Sequence, residues 1–142
     1  MQYVETSGAK GICPTGWHIP TDGEWCTVTQ FLDATVDCGL DGWSGTNSGG
    51  KMKSTGTIQA GTGLWNTPNA GATNESGFAA IPAGYRFDSG AFIGNGSDGY
   101  WSTSTLYYTF YTWHREMNYN RSDLNRTAYS RYAGLSVRCL RD

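Results

Sequence analysis

The sequence predicts an α+β fold: small antiparallel sheets, one main N-terminal helix and a long loop-rich insert. Three observations carry this expectation. Thr21 and Glu24 form a capping-box pair directly after Pro20, the signature of a helix start. Residues 39–77 are dominated by Gly, Ser, Thr and Asn. Trp101-Ser102-Thr103-Ser104, Trp113-His114-Arg115-Glu116-Met117 and Leu135-Ser136-Val137-Arg138-Cys139 alternate apolar with polar side chains, the period of half-buried strands.

The helix is predicted over residues 22–34, with Trp25, Val28, Phe31 and Leu32 on its inner face. In the insert, Trp43, Met52, Ile58, Leu64 and Trp65 are spaced as isolated anchors, and a short second helix near residues 50–54 is compatible with the pattern. Strands are predicted at 78–81, 85–87, 100–105, 111–117 and 135–140, separated by turn signals such as Gly94-Asn95-Gly96. Neither an internal repeat nor a linker interrupts the chain, so residues 1–142 are expected to form a single domain.

With 142 residues, folding buries roughly two thirds of the unfolded surface, enough for a core. Charged residues are only 15%, too few to cover a helical protein, which agrees with loops and short strands. Formal net charge is -2, unevenly placed: four basic against nine acidic residues precede Trp101, and six arginines against three acids follow from it. Arginine there favours acidic or aromatic partners. No lysine follows Lys53 and no nucleic-acid motif occurs, so nucleic acid is not an expected partner. No apolar run is long enough to cross a bilayer, and Met1-Gln2-Tyr3-Val4-Glu5 lacks the basic and apolar regions of a signal peptide.

The four cysteines contain no C-x-x-C pair and the histidines are only His18 and His114, so neither zinc nor another metal or cofactor is expected. Cys26 and Cys38 flank the helical segment, and Cys13 and Cys139 lie near the chain ends. Two disulfides in an oxidising compartment, or four buried free thiols, both fit this distribution. Trp17, Trp25 and Trp101 are expected to be core anchors and His18 a hydrogen-bonded structural histidine. The glycosylation-type triplets at Asn74 and Asn95 are expected to be turns.

The segment from Tyr100 onward combines this strand alternation with Tyr107, Tyr108, Phe110, Tyr111, Tyr119, Tyr129 and Tyr132 interleaved among Thr, Ser, Asn and Arg. Such a mixture supplies large amphipathic contact area with adaptable hydrogen bonds, as in antibody paratopes. Its plain structural counterpart is a loop-rich surface with ordinary core tyrosines. Catalysis is not expected: no base and nucleophile couple or paired carboxylates stand out, and Cys139 has no cysteine partner within the C-terminal region. The rival binding reading is a carbohydrate-binding lectin module, calcium-dependent or not. The Glu-Pro-Asn and Gln-Pro-Asp sugar motifs are missing, and only the oxygen-rich loop at 37–47 points to calcium.

Gly11-Ile12-Cys13-Pro14-Thr15-Gly16-Trp17-His18-Ile19-Pro20, with Asp22 and Trp25, resembles the opening of the Fibrobacter succinogenes major paralogous domain. Gly77-Phe78-Ala79-Ala80-Ile81-Pro82-Ala83-Gly84-Tyr85-Arg86, Gly99-Tyr100-Trp101-Ser102 and Ser136-Val137-Arg138-Cys139 resemble its other signatures, in the same order. The resemblance implies a fold similar to C-type lectins and formylglycine-generating enzymes, with both chain ends in one sheet. Cys13 and Cys139 would then be neighbours, which favours their disulfide.

The C-terminal segment, residues 101–142, also resembles the variable region of a diversity-generating retroelement target protein. In such systems adenines of a template are replaced during reverse transcription, and the altered codons display ligand-binding diversity on a constant frame. The resemblance implies a frame around Trp113, Arg115, Met117, Asn118, Ser122, Asn125, Arg126 and Gly134. The diversified, ligand-binding positions would be Tyr108, Phe110, Tyr111, His114, Glu116, Arg121, Asp123, Thr127, Ala128, Tyr129, Tyr132 and Ala133, Glu116 requiring a lysine-type template codon. The expected partner is a protein or glycan surface, and the implied setting is extracellular, on a cell-surface lipoprotein, a pilus-like tip or a phage particle. Strand alternation predicts Trp113, Arg115 and Met117 packing inward and His114 and Glu116 facing solvent.

Overall fold

The computed structural model describes residues 8–142, so the reading of residues 1–5 lies outside the described residues. Helix α1 spans Asp22–Leu32. The Thr21 side chain accepts from the Glu24 backbone N–H while the Glu24 carboxylate accepts from the Thr21 N–H, closing the predicted capping box. The buried line of α1 is Trp25, Thr29 and Leu32, one residue every three to four. Thr29 can be buried because its hydroxyl donates to the carbonyls of Trp25 and Cys26. This corrects the sequence reading: Val28 is 39% exposed and Phe31 87%. Helix α2, Ser48–Met52, stands two residues before the position considered for it. It lies so close to the loop at 122–123 that a Cβ on Gly49 would overlap the Asp123 carbonyl, and one on Gly50 that of Gly71.

A two-stranded pair joins the chain ends, β1 (Trp17–His18) with β8 (Leu140–Arg141). The main sheet has six strands: β2 (Gly42–Ser44), β3 (Ala83–Arg86), β4 (Phe92–Asn95), β5 (Asp98–Tyr108), β6 (Tyr111–Asn118) and β7 (Leu124–Ser130). Their order is β2-β7-β6-β5-β3-β4, antiparallel except for β3 beside β5. Three predicted strands change. Residues 78–81 form no strand, because Ala79 adopts φ 53° and only Ala80 bridges, to Lys53. Residues 135–140 contribute a single bridge, Ser136 to Trp101, before β8. Tyr85 belongs to β3, which ends at Arg86, one residue short of the predicted 85–87.

The core lies between α1, α2 and one face of the sheet, where Trp25, Met52, Trp65, Trp101, Met117 and Leu124 are buried together. Phe78 packs edgewise between Trp25 and Trp101, each ring centroid 5.5 Å away. Of the insert anchors, Met52 and Trp65 are fully buried and Trp43 half-buried, whereas Ile58 and Leu64 are exposed. Lys53 takes an anchoring part that apolar spacing does not reveal: it is fully buried, and its Nζ donates to the carbonyls of Asn118 and Arg121. Burial pushes its pKa down to about 8.

Both disulfides are formed, Cys13–Cys139 and Cys26–Cys38, and every cysteine is paired. Such bonds fit an oxidising, non-cytoplasmic compartment. Around Cys13, Ile19 is fully buried and takes the place expected for Trp17, which is 39% exposed on the short β1. His18 bonds Asp142 through Nδ1 at 2.7 Å and Glu24 through Nε2 at 3.0 Å, the structural part expected of it. Among the described residues no helix is long and apolar enough to cross a membrane.

Candidate functional site

The hairpin of β5 and β6 turns at Thr109 and Phe110. Its tip carries Tyr108, Phe110 and Tyr111, with Tyr132 on the adjoining loop; Tyr108 is 67% exposed and the other three about half. The loop is tied in by the Arg131 N–H donating to the Phe110 carbonyl, and Phe110 and Tyr132 stack with centroids 6.3 Å apart. Tyr107 extends the cluster, edge-on to Tyr108 at 4.5 Å and Trp113 at 4.6 Å. So many aromatic rings held in water at one place form the kind of patch that marks an interaction surface.

One pleat face of β6 carries Trp113, Arg115 and Met117, as expected. Met117 enters the core, and Arg115, 2% exposed, donates to the Asp22 carboxylate at 2.7 Å. Arg126, its cross-strand partner on β7, closes on the same carboxylate and lies over the Trp113 ring at 3.4 Å. Burial acts to raise the Asp22 pKa, but the hydrogen bonds and charges of Arg126 and Arg115 outweigh it and hold the carboxyl below its ordinary value.

The other face of β6 is not open to solvent, which corrects the expectation for His114 and Glu116. His114 is 2% exposed and Glu116 half-buried. The cover is aromatic: Tyr85 on β3 reaches across β5 and β6 to touch Tyr129 on β7, at 5.4 Å between centroids, and also packs on Tyr100 at 5.0 Å. Between these walls is a pocket of about 170 Å³ lined by His114, Glu116, Thr127, Ala128 and Tyr129 together with Tyr85, Tyr100 and Leu135. The Glu116 carboxylate accepts from Asn125 at 2.7 Å and from the Tyr100 hydroxyl at 3.3 Å. Burial raises its pKa, and burial followed by the charge of Arg115 pushes His114 down to about 4, so the imidazole is neutral at pH 7.

Tyr129 also borders a second hollow, shared with Phe87, Asp88, Tyr111 and Ala133, which connects the pocket to the tip. Ala133 itself is 2% exposed, a wall rather than a contact surface. Arg121 and Asp123 stand apart, at the β6–β7 turn beyond the far end of β6, roughly 25 Å of strand from Tyr111. They bond each other at 2.8 and 2.7 Å, and Arg121 covers the Trp43 ring at 4.4 Å. In the oxygen-rich loop at 37–47, Thr46 and Asn47 give their backbone N–H groups to the carboxylate of Asp33, the C-cap of α1, which also accepts from Thr35 N–H, while Asp37 accepts from Gly39. Sequence reasoning missed Tyr85, Tyr100 and Leu135 as pocket residues. Only Tyr100 had a readable signal, since strand alternation places it on the face opposite Trp101.

The sequence model of the Fibrobacter succinogenes major domain matches residues 2–141. The chain belongs to this family. Neither the curated proteins nor the solved structures contain a match. The segments that resemble the Fibrobacter succinogenes major domain converge in space: Phe78 packs at steep angles between Trp25 and Trp101, and Cys13 is joined to Cys139. In this member Cys13, Trp25, Phe78, Trp101 and Cys139 of these segments belong to the frame, and the tip aromatics Tyr108, Phe110, Tyr111 and Tyr132 lie outside them.

Proposed function

We propose that this domain is a ligand-binding display module, the variable protein of a diversity-generating retroelement, built on a C-type-lectin-like fold. Residues 101–142 carry the diversified face. The observation that carries the reading is the division of labour within that one segment. Trp101, Arg115, Met117 and Asn125 are buried, while Tyr108, Phe110, Tyr111 and Tyr132 cluster in solvent at the hairpin tip. Side chains at such a tip can change without touching the core, since exposed substitutions alter stability by about 0.5 kcal/mol or less. Aromatic rings backed by arginine are the usual anchors for protein surfaces and stack on sugar rings equally well. The ligand is a protein or glycan surface, the module acts without turnover, and its setting is a cell surface or phage particle.

The test is the DNA beside the gene. A reverse transcriptase gene with a near-copy of the segment encoding residues 101–142, differing only where the copy has adenine, is the expected finding. Neighbouring DNA with no such copy sinks the reading.

A further inference from the structure

Four rings close a box on the covered face of the sheet: Tyr85, Tyr100, His114 and Tyr129. Successive centroids are 5.0, 5.8, 5.9 and 5.4 Å apart, and successive planes meet at 74°, 54°, 86° and 74°. Aromatic walls set at steep angles around a small space present their electron-rich surfaces to a cation. Glu116 stands beside them on β6, and its two accepted hydrogen bonds leave lone pairs free on a carboxylate that offers about four. The His114 ring is itself 2% exposed and forms the floor of the box between Tyr100 and Tyr129.

The groups around the box favour the same guest. Asp98 beside Tyr100 and Glu116, Asp41 beside His114, and Asp88 beside Tyr129 all add negative charge. Two cations oppose them, Arg115 acting on His114 and Arg121 on Glu116, and each is ion-paired, Arg115 with Asp22 on the reverse face of β6 and Arg121 with Asp123. A pocket of about 170 Å³ is smaller than the roughly 300–1,000 Å³ of sites for drug-sized molecules, so it suits the end of a side chain.

The geometry points to a receptor site for a primary alkylammonium, the end of a lysine side chain on a protein ligand, in the box of Tyr85, Tyr100, His114 and Tyr129 beside Glu116. The guest's N–H groups donate to Glu116, while its methylenes lie against the rings. A trimethylated ammonium has no N–H to give to that carboxylate. The assignment rests on the display reading in one respect: His114, Glu116, Thr127 and Tyr129 belong to the diversified segment, whereas Tyr85 and Tyr100 lie outside it. Two tyrosine walls and Leu135 are then constant, and the rest of the lining differs from copy to copy.

The experiment is a titration of the intact domain followed by NMR at the His114 and Tyr129 rings. The probes are Nα-acetyl-lysine methylamide, its Nε-acetyl form and its Nε-trimethyl form. The lysine probe should bind with a Kd of about 1 mM, a reasonable value for so small a ligand. The Nε-acetyl and trimethyl probes should bind at least about tenfold more weakly, a difference of one lost charged contact. Glu116→Gln, nearly isosteric, should weaken the lysine probe by a similar factor, and Phe31→Ser on the outer side of α1 should leave it unchanged. No response to the lysine probe, equal or tighter binding of either modified probe, or full binding by Glu116→Gln overturns the proposal. The comparison of probes on the unaltered protein needs no variant to fold. Absence of a template copy in the neighbouring DNA would count against the display reading alone, and absence of lysine binding against this site alone.

Discussion

Asp22 and Arg115 form a 2.7 Å ion pair that pins the first turn of α1 to the middle of β6. Arg126 holds the same carboxylate from β7, so one acid balances two arginines beneath the sheet. Asp22→Ala leaves both cations unbalanced, Arg115 at 2% exposure and Arg126 largely covered. Stability should fall by about 3 to 5 kcal/mol in urea unfolding. A loss below about 1 kcal/mol would show that water replaces the carboxylate.

The tip should tolerate what the frame does not. Replacing Tyr108, Phe110, Tyr111 and Tyr132 together by Ser is expected to move Tm by only a few degrees. Trp101→Ala should cost about 3 to 5 kcal/mol, because its ring fills the core beside Phe78. Comparable losses from both variants would mean that the tip is structural.

What the sequence disclosed follows from the range of the forces involved. The capping box at Thr21 and Glu24 is local, three residues apart, and it stands where expected. The alternation of Trp113, Arg115 and Met117 correctly assigned one face of β6, yet the same rule misplaced His114, because alternation says which residues share a face and not what covers it. That cover comes from Tyr85, 29 positions earlier, whose ring meets Tyr129 across two intervening strands. β7 escaped detection since Asn125 and Arg126 are buried or half-buried through a hydrogen bond and an ion pair, which apolar alternation does not register. Lys53 and Phe31 are the converse cases, a charge inside and a ring outside.

Reduction should separate the two disulfides. Cys13–Cys139 spans 126 positions and Cys26–Cys38 only 12. A Cys13→Ser and Cys139→Ser double variant is expected to lose about 2 to 5 kcal/mol, more than the corresponding change at Cys26 and Cys38, since the longer loop gains more entropy when freed. Melting curves of the two double variants against the oxidised parent give the order. The reverse order would mean that the reduced chain ends stay together without the bond.

Acid should reveal the buried imidazole. His114 has its pKa lowered to about 4, so between pH 6.5 and 4 the unfolded chain binds a proton that the folded chain refuses. Stability contributed by the neutral ring is present above pH 6.5 and is lost as pH falls through this window, by about 3 kcal/mol in full. Glu116 and Asp98, whose pKa values are raised, act in the opposite sense. The comparison is therefore between the parent and His114→Phe, whose melting temperature should fall less from pH 7 to pH 4. Parallel profiles would show that the ring is protonated without cost.

Calcium should leave the domain unmoved. Asp33 already accepts three backbone N–H groups, and burial of its carboxyl is outweighed by those bonds, which keep its pKa well below the ordinary range. Millimolar calcium is expected to produce no change in Tm, whereas an ion bound at a hundred times its Kd would add about 2.7 kcal/mol. A clear upward shift would favour the calcium lectin.

The bridge between Cys13 and Cys139 also decides how the domain behaves as a mechanical link. Tension applied outside these two residues passes through the sulfur bond and bypasses everything between them. Only β8, beyond Cys139, stands in the line of pull; the six-stranded sheet, the aromatic tip and the pocket carry no load, so a ligand held by a neighbouring surface would be met by an unstretched receptor. Once the bond is reduced the same pull acts on the intervening chain, which can pay out to roughly 400 Å. The oxidised domain is a stiff bead on a string, and the reduced one is part of the string.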